Sequence, residues 1–327
     1  MKNIQITFIL LLAFTLPSIA SDEHTPRGVV YGDLFLNANH SFEKEKSSLR
    51  MNRLHLGYKH EFSDSLYFNG MIESAREDYD AAGDYAGITD LFEFALGFSN
   101  KNLKGKIGLI GTELNQLQEK LWQHRYVDKV YADKYGFSPT NDFGAIVVYE
   151  FSEALSVDIA LTNGEGHKEY ETDSDFRLAM GLTLQSPDGL VFRLFGDVLD
   201  DKNGSTQTNL IAILGYTSEI ISFGLEWNQQ LNASHIDGYD RGGPSVYLSY
   251  NLNEKYQIFG RYDLLESDLS SDAETFVSNN GDGQLVIAGL QYRLSENVVL
   301  SLNNRNWISD YDDNTASYLF FDVALTF

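Results

Sequence analysis

Residues 317–327 read SYLFFDVALTF, and this stretch decides the fold. In an extended strand, alternate residues point to opposite sides. One side would carry only apolar residues, namely Leu319, Phe321, Val323, Leu325 and Phe327. The other side would be mixed, with Tyr318, Phe320, Asp322, Ala324 and Thr326. This pattern is typical of a transmembrane β-strand that faces lipid on one side and a lumen on the other. The last strand of a soluble sandwich can show the same alternation, so the rest of the chain has to decide.

The first 20 residues indicate export. Lys2 precedes a mostly apolar run over residues 4–16, and the small residues Ser18 and Ala20 stand where a signal peptidase cleaves. We therefore predict a signal peptide over 1–20 and a mature outer-membrane β-barrel over 21–327. The apolar run is too short for a membrane-spanning helix and has no stop-transfer flank.

Period-two alternation recurs along the whole mature chain. We count about 16 such segments, each near the length of a tilted membrane strand. The first lies near 28–40, the last near 316–327, and the segment at 206–217 is the weakest. Short turns alternate with long polar connections, and an even strand number places both termini in the periplasm. The predicted fold is all-β, a transmembrane antiparallel β-barrel.

Aromatic residues mark one end of this predicted barrel. They lie on the apolar side of strands, next to short turns or to the chain end, where amphipathic rings are favoured at a membrane interface. A soluble sandwich has no reason to place aromatics at one end of alternate strands. The set comprises Phe62, Phe98, Tyr149, Phe151, Tyr216, Tyr250, Tyr256, Tyr292 and Phe327. The alternation around residues 89–99 also assigns Phe92 to the apolar side.

Residues 113–139 interrupt the strand pattern and predict a helix in the third external loop. Asn115 is the predicted N-cap, with Gln118 in the reciprocal capping position, and Gly136 ends the run before Pro139. Such a loop either folds into the barrel and narrows it or lies across the rim; its length and position favour insertion. Its candidate constriction residues are Glu113, Glu119, Lys120, Arg125, Asp128, Lys129, Asp133 and Lys134.

The chain resembles Gram-negative outer-membrane porins in its export signal, strand number, long third loop and terminal Phe327. Within 119–165 it also resembles porins of the phosphate-selective O and P group, at Trp122, Arg125, Lys129, Asp133, Gly136, Asp142, Gly144, Tyr149, Asn163 and Gly164. The resemblance implies a homotrimer, contact with lipopolysaccharide, and recognition of Phe327 by the barrel assembly machinery. It implies a diffusion channel as well.

Charged residues also fall on the predicted lumen side of the strands. The acidic and basic residues are interleaved, so the arginine ladder of phosphate-selective porins is not reproduced. They can pair across neighbouring strands, separated acidic and basic walls can create a transverse field that disfavours apolar solutes, and both can hold at once. The candidate pore-lining residues on strands are Arg53, Lys59, Glu73, Lys106, Arg177, Arg193, Asp197, Arg261, Asp263, Arg293 and Arg305.

Composition excludes several other functions. The chain has no cysteine, and its formal net charge of -23 argues against nucleic acid as a partner. Its seven histidines are scattered without a metal-binding motif, and the acidic stretch at 310–314 lacks the glycine and distal glutamate of a calcium loop. We expect no reaction, metal or cofactor.

The expected function is passive diffusion of ions and small hydrophilic solutes across the outer membrane. Two alternatives remain at this point. One is a solute- or anion-selective channel of the phosphate type. The other is a plugged barrel that acts as a receptor or adhesin.

Overall fold

The computed structural model describes residues 27–78, 85–168, 175–201, 204–270, 277, 279–311 and 315–327. The predicted signal peptide lies outside these residues, as do 312–314 of the acidic stretch. Within the described part, the chain forms a closed antiparallel barrel of 16 strands. The predicted architecture is therefore confirmed, and every predicted segment corresponds to a strand with ends shifted by a few residues.

The strands follow one another around the barrel in chain order. Their bounds are β1 Arg27–Ser41, β2 Lys46–Glu61, β3 Leu66–Asp78, β4 Tyr85–Asn100, β5 Leu103–Gly111, β6 Asn141–Ser152, β7 Leu155–Thr162, β8 Arg177–Gln185, β9 Leu190–Leu199, β10 Gln207–Thr217, β11 Ile221–Leu231, β12 Tyr239–Asn251, β13 Tyr256–Leu269, β14 Gly283–Ser295, β15 Val298–Ser309 and β16 Thr315–Thr326. Even the weak segment, β10, pairs along its length with both neighbours.

Barrel closure depends on the stretch 317–327. Strand β16 pairs with β1 in a register that places Asp33 opposite Thr326 and Ser41 opposite Tyr318. Beyond the strand, Gly32 N donates to Phe327 O (2.9 Å) and Phe327 N donates to Gly32 O (3.0 Å). Because lipid offers no hydrogen-bonding partner, this closure is what lets a sheet exist in a membrane.

The outer wall of the barrel is apolar. Large side chains expose two fifths or more of their surface there, far beyond the apolar patch a water-soluble protein tolerates. Lipid contact accounts for this exposure, as in membrane barrels. Representative members are Leu56, Phe94, Ile107, Ile159, Leu178, Leu210, Leu248, Leu290, Leu302 and Phe321. Among the predicted interfacial aromatics, the most exposed are Phe62, Tyr149, Phe151, Tyr250, Tyr256 and Phe327.

The assignment of Phe92 to the apolar side is wrong. The pairing of β3 with β4 shifts register so that Met71 faces Glu93 while Ile72 faces Leu91, which leaves Phe92 as an extra residue. A β-bulge of this kind re-aims side chains. Leu91 takes the outward position, 52% exposed, and Phe92 turns into the lumen beside Arg53.

The third external loop, residues 112–140 (hereafter loop 3), contains two helices rather than one. Helix α1 spans Glu113–Trp122 and helix α2 spans Tyr131–Lys134. The predicted cap at Asn115 is wrong, because Asn115 N donates to Thr112 Oγ1 and Thr112 is the N-cap. Helix α1 ends where Gln123 adopts a left-handed conformation, with φ of 63°. None of the helices in the described residues is long and apolar enough to cross a membrane.

We expect Phe327 to matter for assembly as well as for closure. Deleting it removes both backbone hydrogen bonds to Gly32, whereas Phe327→Ala keeps them and removes only the ring. If the ring is the assembly signal, both variants should give less SDS-resistant barrel in the membrane fraction, measured on unheated gels. Phe151→Ala, another exposed aromatic beside a short turn, is the matched control and should assemble normally. Wild-type yield from both Phe327 variants would contradict the assembly role.

Candidate functional site

Loop 3 lies inside the barrel. Its apolar side chains form one cluster with inward-facing side chains of the wall from β9 round to β14. Leu114, Trp122 and Phe137 have no exposed surface, and each such burial stabilises the loop by roughly 1.5–3 kcal/mol. The wall contributes Val191, Phe195, Ile211, Ile213, Tyr247, Phe259, Leu265, Leu285 and Ile287. The expectation that the loop is inserted is therefore confirmed.

Hydrogen bonds fix the loop on this wall. Tyr126 hydroxyl donates to Gln291 Oε1 (2.8 Å), and Tyr131 hydroxyl donates to the Leu264 carbonyl (2.9 Å). Ser222 Oγ donates to the carbonyl of Leu121 (3.0 Å), at the end of α1. The buried polar groups thus find partners when the apolar side chains pack, which sets one position for the loop.

A buried carboxylate on β11 holds the middle of α1. Gln118 Nε2 donates to one oxygen of Glu226 (2.6 Å), and Tyr247 hydroxyl donates to the other (2.5 Å). Further along the wall, Arg261 donates to the carbonyl of Lys129 and pairs with Asp263 (2.7 Å). Burying these charges is tolerable because each is hydrogen-bonded within the network.

His124, in the turn after α1, is completely buried. It stacks on Phe259 with ring centroids 4.1 Å apart. Nδ1 lies 2.7 Å from the Trp122 carbonyl and Nε2 lies 3.0 Å from Gln257 Oε1. Burial lowers the pKa of His124 to about 4, even though both hydrogen bonds favour the protonated form. The imidazole is therefore neutral at neutral pH.

Two other loop 3 groups have shifted pKa values. Burial raises the pKa of Glu113 above its ordinary value, and the charge of Asp158 adds to this rise. Burial also acts to raise the pKa of Asp128, but the charges of Lys134 and Arg261 outweigh it, so the pKa lies well below the usual range. Lys134 Nζ is 2.8 Å from Asp128 Oδ2.

The part of the lumen that loop 3 leaves uncovered contains two chambers. The chamber on the loop side, hereafter the outer chamber, has a volume of about 820 Å³. Loop 3 and the wall together line it, with Phe35, Arg50, Asn52, Arg53, Glu73, Phe92, Arg125, Tyr126, Asp128, Lys129, Asp133, Lys134, Glu165, His167, Lys168, Arg177 and Arg305. The chamber beside the short turns, hereafter the inner chamber, has about 730 Å³ and is lined by Tyr31, Lys59, Glu61, Asp64, Tyr67, Asn69, Glu93, Lys104 and Lys106, among others.

Some predicted pore residues lie in these chambers as ion pairs. In the outer chamber, Arg53 Nε lies 2.9 Å from Glu73, and Arg125 bridges Glu119 (3.1 Å) and Asp133 (2.9 Å). Lys129 is also 3.4 Å from Asp133. In the inner chamber, the pairs are Lys59 with Glu61 (2.9 Å) and Lys106 with Glu93 (3.1 Å).

Other predicted pore residues are buried in the wall. Arg193 pairs with Asp158 (2.7 Å), and neither lines a chamber. Arg261 and Asp263 face the lumen but lie beneath loop 3, so their placement at the passage is wrong. Lys120 and Arg293 are exposed, Arg293 at the turn end of β14, and neither lines a chamber.

Arg177 and Arg305 line the outer chamber and are each backed by a buried carboxylate. Arg177 lies 2.7 Å from Asp197, and Arg305 lies 2.6 Å from Asp322. Pairing on neighbouring strands is therefore the main arrangement of the lumen charges. Both sides of the outer chamber carry both signs, so separated acidic and basic walls do not form there.

Sequence reasoning missed several chamber residues. Phe92 and Asn52 face the lumen because of bulges, in β4 and in β2, where the register shifts between Phe35 and Leu36. His55 lies 2.8 Å from Glu73 and 3.1 Å from Asp33, and holds Glu73 in place. His55 shares the lumen side of β2 with Arg53, but its partners depend on strand register.

Porins share this architecture: a closed barrel, a third loop folded into the lumen, and polar chambers toward the external and the periplasmic ends. No model of a known protein family matches the chain. No curated protein matches it either. Solved structures do match, and they include outer-membrane porins, a channel and another outer membrane protein.

OmpF of Salmonella typhi, in complex with daunomycin, is 11% identical, with a TM-score of 0.70 over 92% of this chain and 97% of that one. The outer membrane channel DcaP of Acinetobacter baumannii is 13% identical, with a TM-score of 0.67 over 94% and 99%. The trimer form of the outer membrane protein OmpT of Vibrio cholerae is 14% identical, with a TM-score of 0.62 over 93% and 100%. The chain has the fold of outer-membrane porins.

We expect acidification to loosen loop 3 through His124. The pKa of His124 is about 4 when loop 3 is packed and 6.5 when the loop is released into water. The packed loop therefore has its full stability above pH 6.5, and loses stability as the pH falls toward 4, because the released histidine binds a proton and the packed one does not. At about 1.4 kcal/mol per pKa unit, the loss approaches roughly 3 kcal/mol. Hydrogen exchange at the amides of Val127 and Asp128, which donate to the His124 carbonyl, measures it locally.

The control is His124→Gln, which retains hydrogen-bonding groups but cannot titrate in this range. Protonation of Glu113 on acidification acts in the opposite direction, because its raised pKa marks a charge that the folded state disfavours. The effect of Glu113 on loop stability should be the same in His124→Gln as in wild type. Equal loss of protection in wild type and His124→Gln, or no loss in wild type, would contradict the role of His124.

Proposed function

We propose that the chain is an outer-membrane porin, a passive diffusion channel for ions and small hydrophilic solutes. The observation that carries this proposal is the pair of polar chambers on the uncovered half of the lumen, about 820 Å³ and 730 Å³. Volumes of this size admit small solutes with their water. The porin fold supports the same conclusion.

We place the narrowest part of this passage between loop 3 and the wall of β2 and β3. On the loop side stand Glu119 and Arg125, and on the wall side Arg53 and Glu73. Since each cation has a carboxylate on its own side, solute passage is governed by width and polarity more than by ion sign.

Paired and hydrogen-bonded side chains also argue for transport rather than catalysis. The polar clusters of the lumen consist of ion pairs such as Arg53 with Glu73 and Arg125 with Asp133, which hold the wall and the loop. We therefore propose no chemical step. A homotrimer in contact with lipopolysaccharide is proposed by resemblance to porins, in line with the trimer form of OmpT of Vibrio cholerae.

The alternative of a plugged receptor or adhesin differs in one measurable respect. A plug fills the lumen, whereas loop 3 covers one half and leaves the two chambers. A channel should therefore conduct ions, and a plugged barrel should not.

Purified protein in planar bilayers should give stepwise conductance that rises linearly with salt concentration. Liposomes that contain it should swell in small sugars at rates that fall with sugar size, because width sets passage. A reversal potential in a salt gradient reports ion preference, and the paired charges predict a weak one. Silent bilayers together with absent swelling would contradict the channel function and favour the plugged barrel.

A further inference from the structure

The outer chamber is basic although the chain is acidic overall, with a formal net charge of -23. Eight basic and four acidic residues line it among the described residues. The basic ones come from separate parts of the barrel and surround the chamber. They are Arg50 and Arg53 on β2, Arg125, Lys129 and Lys134 on loop 3, Lys168 in the next external loop, Arg177 on β8 and Arg305 on β15.

Protein donors occupy the lining carboxylates Glu73, Asp133 and Asp128. Glu73 contacts Arg53 and His55, and Asp133 contacts Arg125 and Lys129. Asp128 binds Lys134 Nζ through both oxygens, at 3.2 and 2.8 Å. A bound solute would therefore meet mainly N–H donors, because eight basic residues line the chamber and these three carboxylates are engaged by protein donors.

The carboxylates behind the wall arginines are covered. Asp197, the partner of Arg177, is 2% exposed, and Asp322, the partner of Arg305, is 0% exposed. They fix the guanidinium groups but do not line the chamber.

The chamber also has an aromatic side. The guanidinium of Arg53 lies over the rings of Phe92 (5.4 Å) and Phe35 (6.0 Å). Tyr126 of loop 3 contacts Phe35 edge-on, with ring centroids 6.2 Å apart. Flat rings beside a guanidinium suit a solute that is anionic at one end and flat and apolar at the other.

We propose that the outer chamber binds small organic anions whose carboxylate is attached to a flat apolar body. The carboxylate is held by Arg53 and the surrounding basic residues, and the body lies against Phe35 and Phe92. The site concentrates such solutes at the narrow part of the pore. This inference rests on the proposed channel function and names a solute class for it.

The test is single-channel current in potassium chloride with three probes added in turn. These are benzoate, acetate as an anion without a ring, and benzyl alcohol as a ring without a charge. Benzoate should reduce the current saturably, at a half-saturating concentration roughly fivefold below that of acetate, given the value of aromatic contacts. Benzyl alcohol should have no effect at these concentrations.

Two variants locate the site. Arg53→Gln should raise the half-saturating benzoate concentration about tenfold, as expected for a lost charge-assisted hydrogen bond. Phe92→Leu should raise it for benzoate and leave acetate unchanged. Lys104→Gln removes the same charge from the inner chamber, so it should alter conductance without moving the benzoate value. SDS resistance confirms that each variant is folded; if Arg53→Gln does not assemble, the exposed Lys168→Gln replaces it, with a smaller shift expected.

The outcomes separate this inference from the function on which it rests. No current in potassium chloride alone would overturn the channel function. Normal current that benzoate does not reduce, or reduces equally in wild type and Arg53→Gln, would overturn only the anion site. Equal values for benzoate and acetate in wild type would overturn the aromatic part of the proposal.

Discussion

The structure depends on one constraint: lipid cannot hydrogen-bond to the backbone, so every strand needs two partners. Strand β1 pairs with β16, and two further hydrogen bonds join Gly32 to Phe327. These contacts give the first and last strands of the sheet their second partner. Once the sheet is closed, the side chains must divide between lipid and lumen. The alternating sequence is the consequence of that division.

A barrel of 16 strands is too wide for its own wall side chains to fill. Loop 3 occupies part of the space, and most of its apolar contacts are with one side of the barrel. Its apolar side chains need an apolar surface, and the wall from β9 to β14 provides one inside an otherwise polar lumen. The opposite wall, from β1 to β5, carries charged pairs instead, and these pairs line the two chambers. The asymmetry of the wall therefore determines where the passage lies.

Strand alternation and turn chemistry were enough to predict the architecture, because a membrane barrel repeats one simple pattern. The inward side of β10 and β14 held a further signal, since Ile211, Ile213, Leu285 and Ile287 are apolar on the lumen side. That signal predicts a packing partner inside the barrel, and it could have located loop 3. Bulges could not be read from the pattern, so Phe92 was placed on the wrong side. Charge partners such as Arg53 and Glu73 depend on register, which alternation alone does not fix.

The central claim is that loop 3 covers one half of the lumen and leaves the other half open to water. The chain has no cysteine, so a single introduced thiol reports accessibility without background. Asn52 lines the outer chamber, whereas Asn228 is 0% exposed on β11, a strand against which α1 packs. A charged thiol reagent added during current recording should block Asn52→Cys and leave Asn228→Cys unchanged. Reaction at Asn228→Cys with no effect at Asn52→Cys would contradict the account.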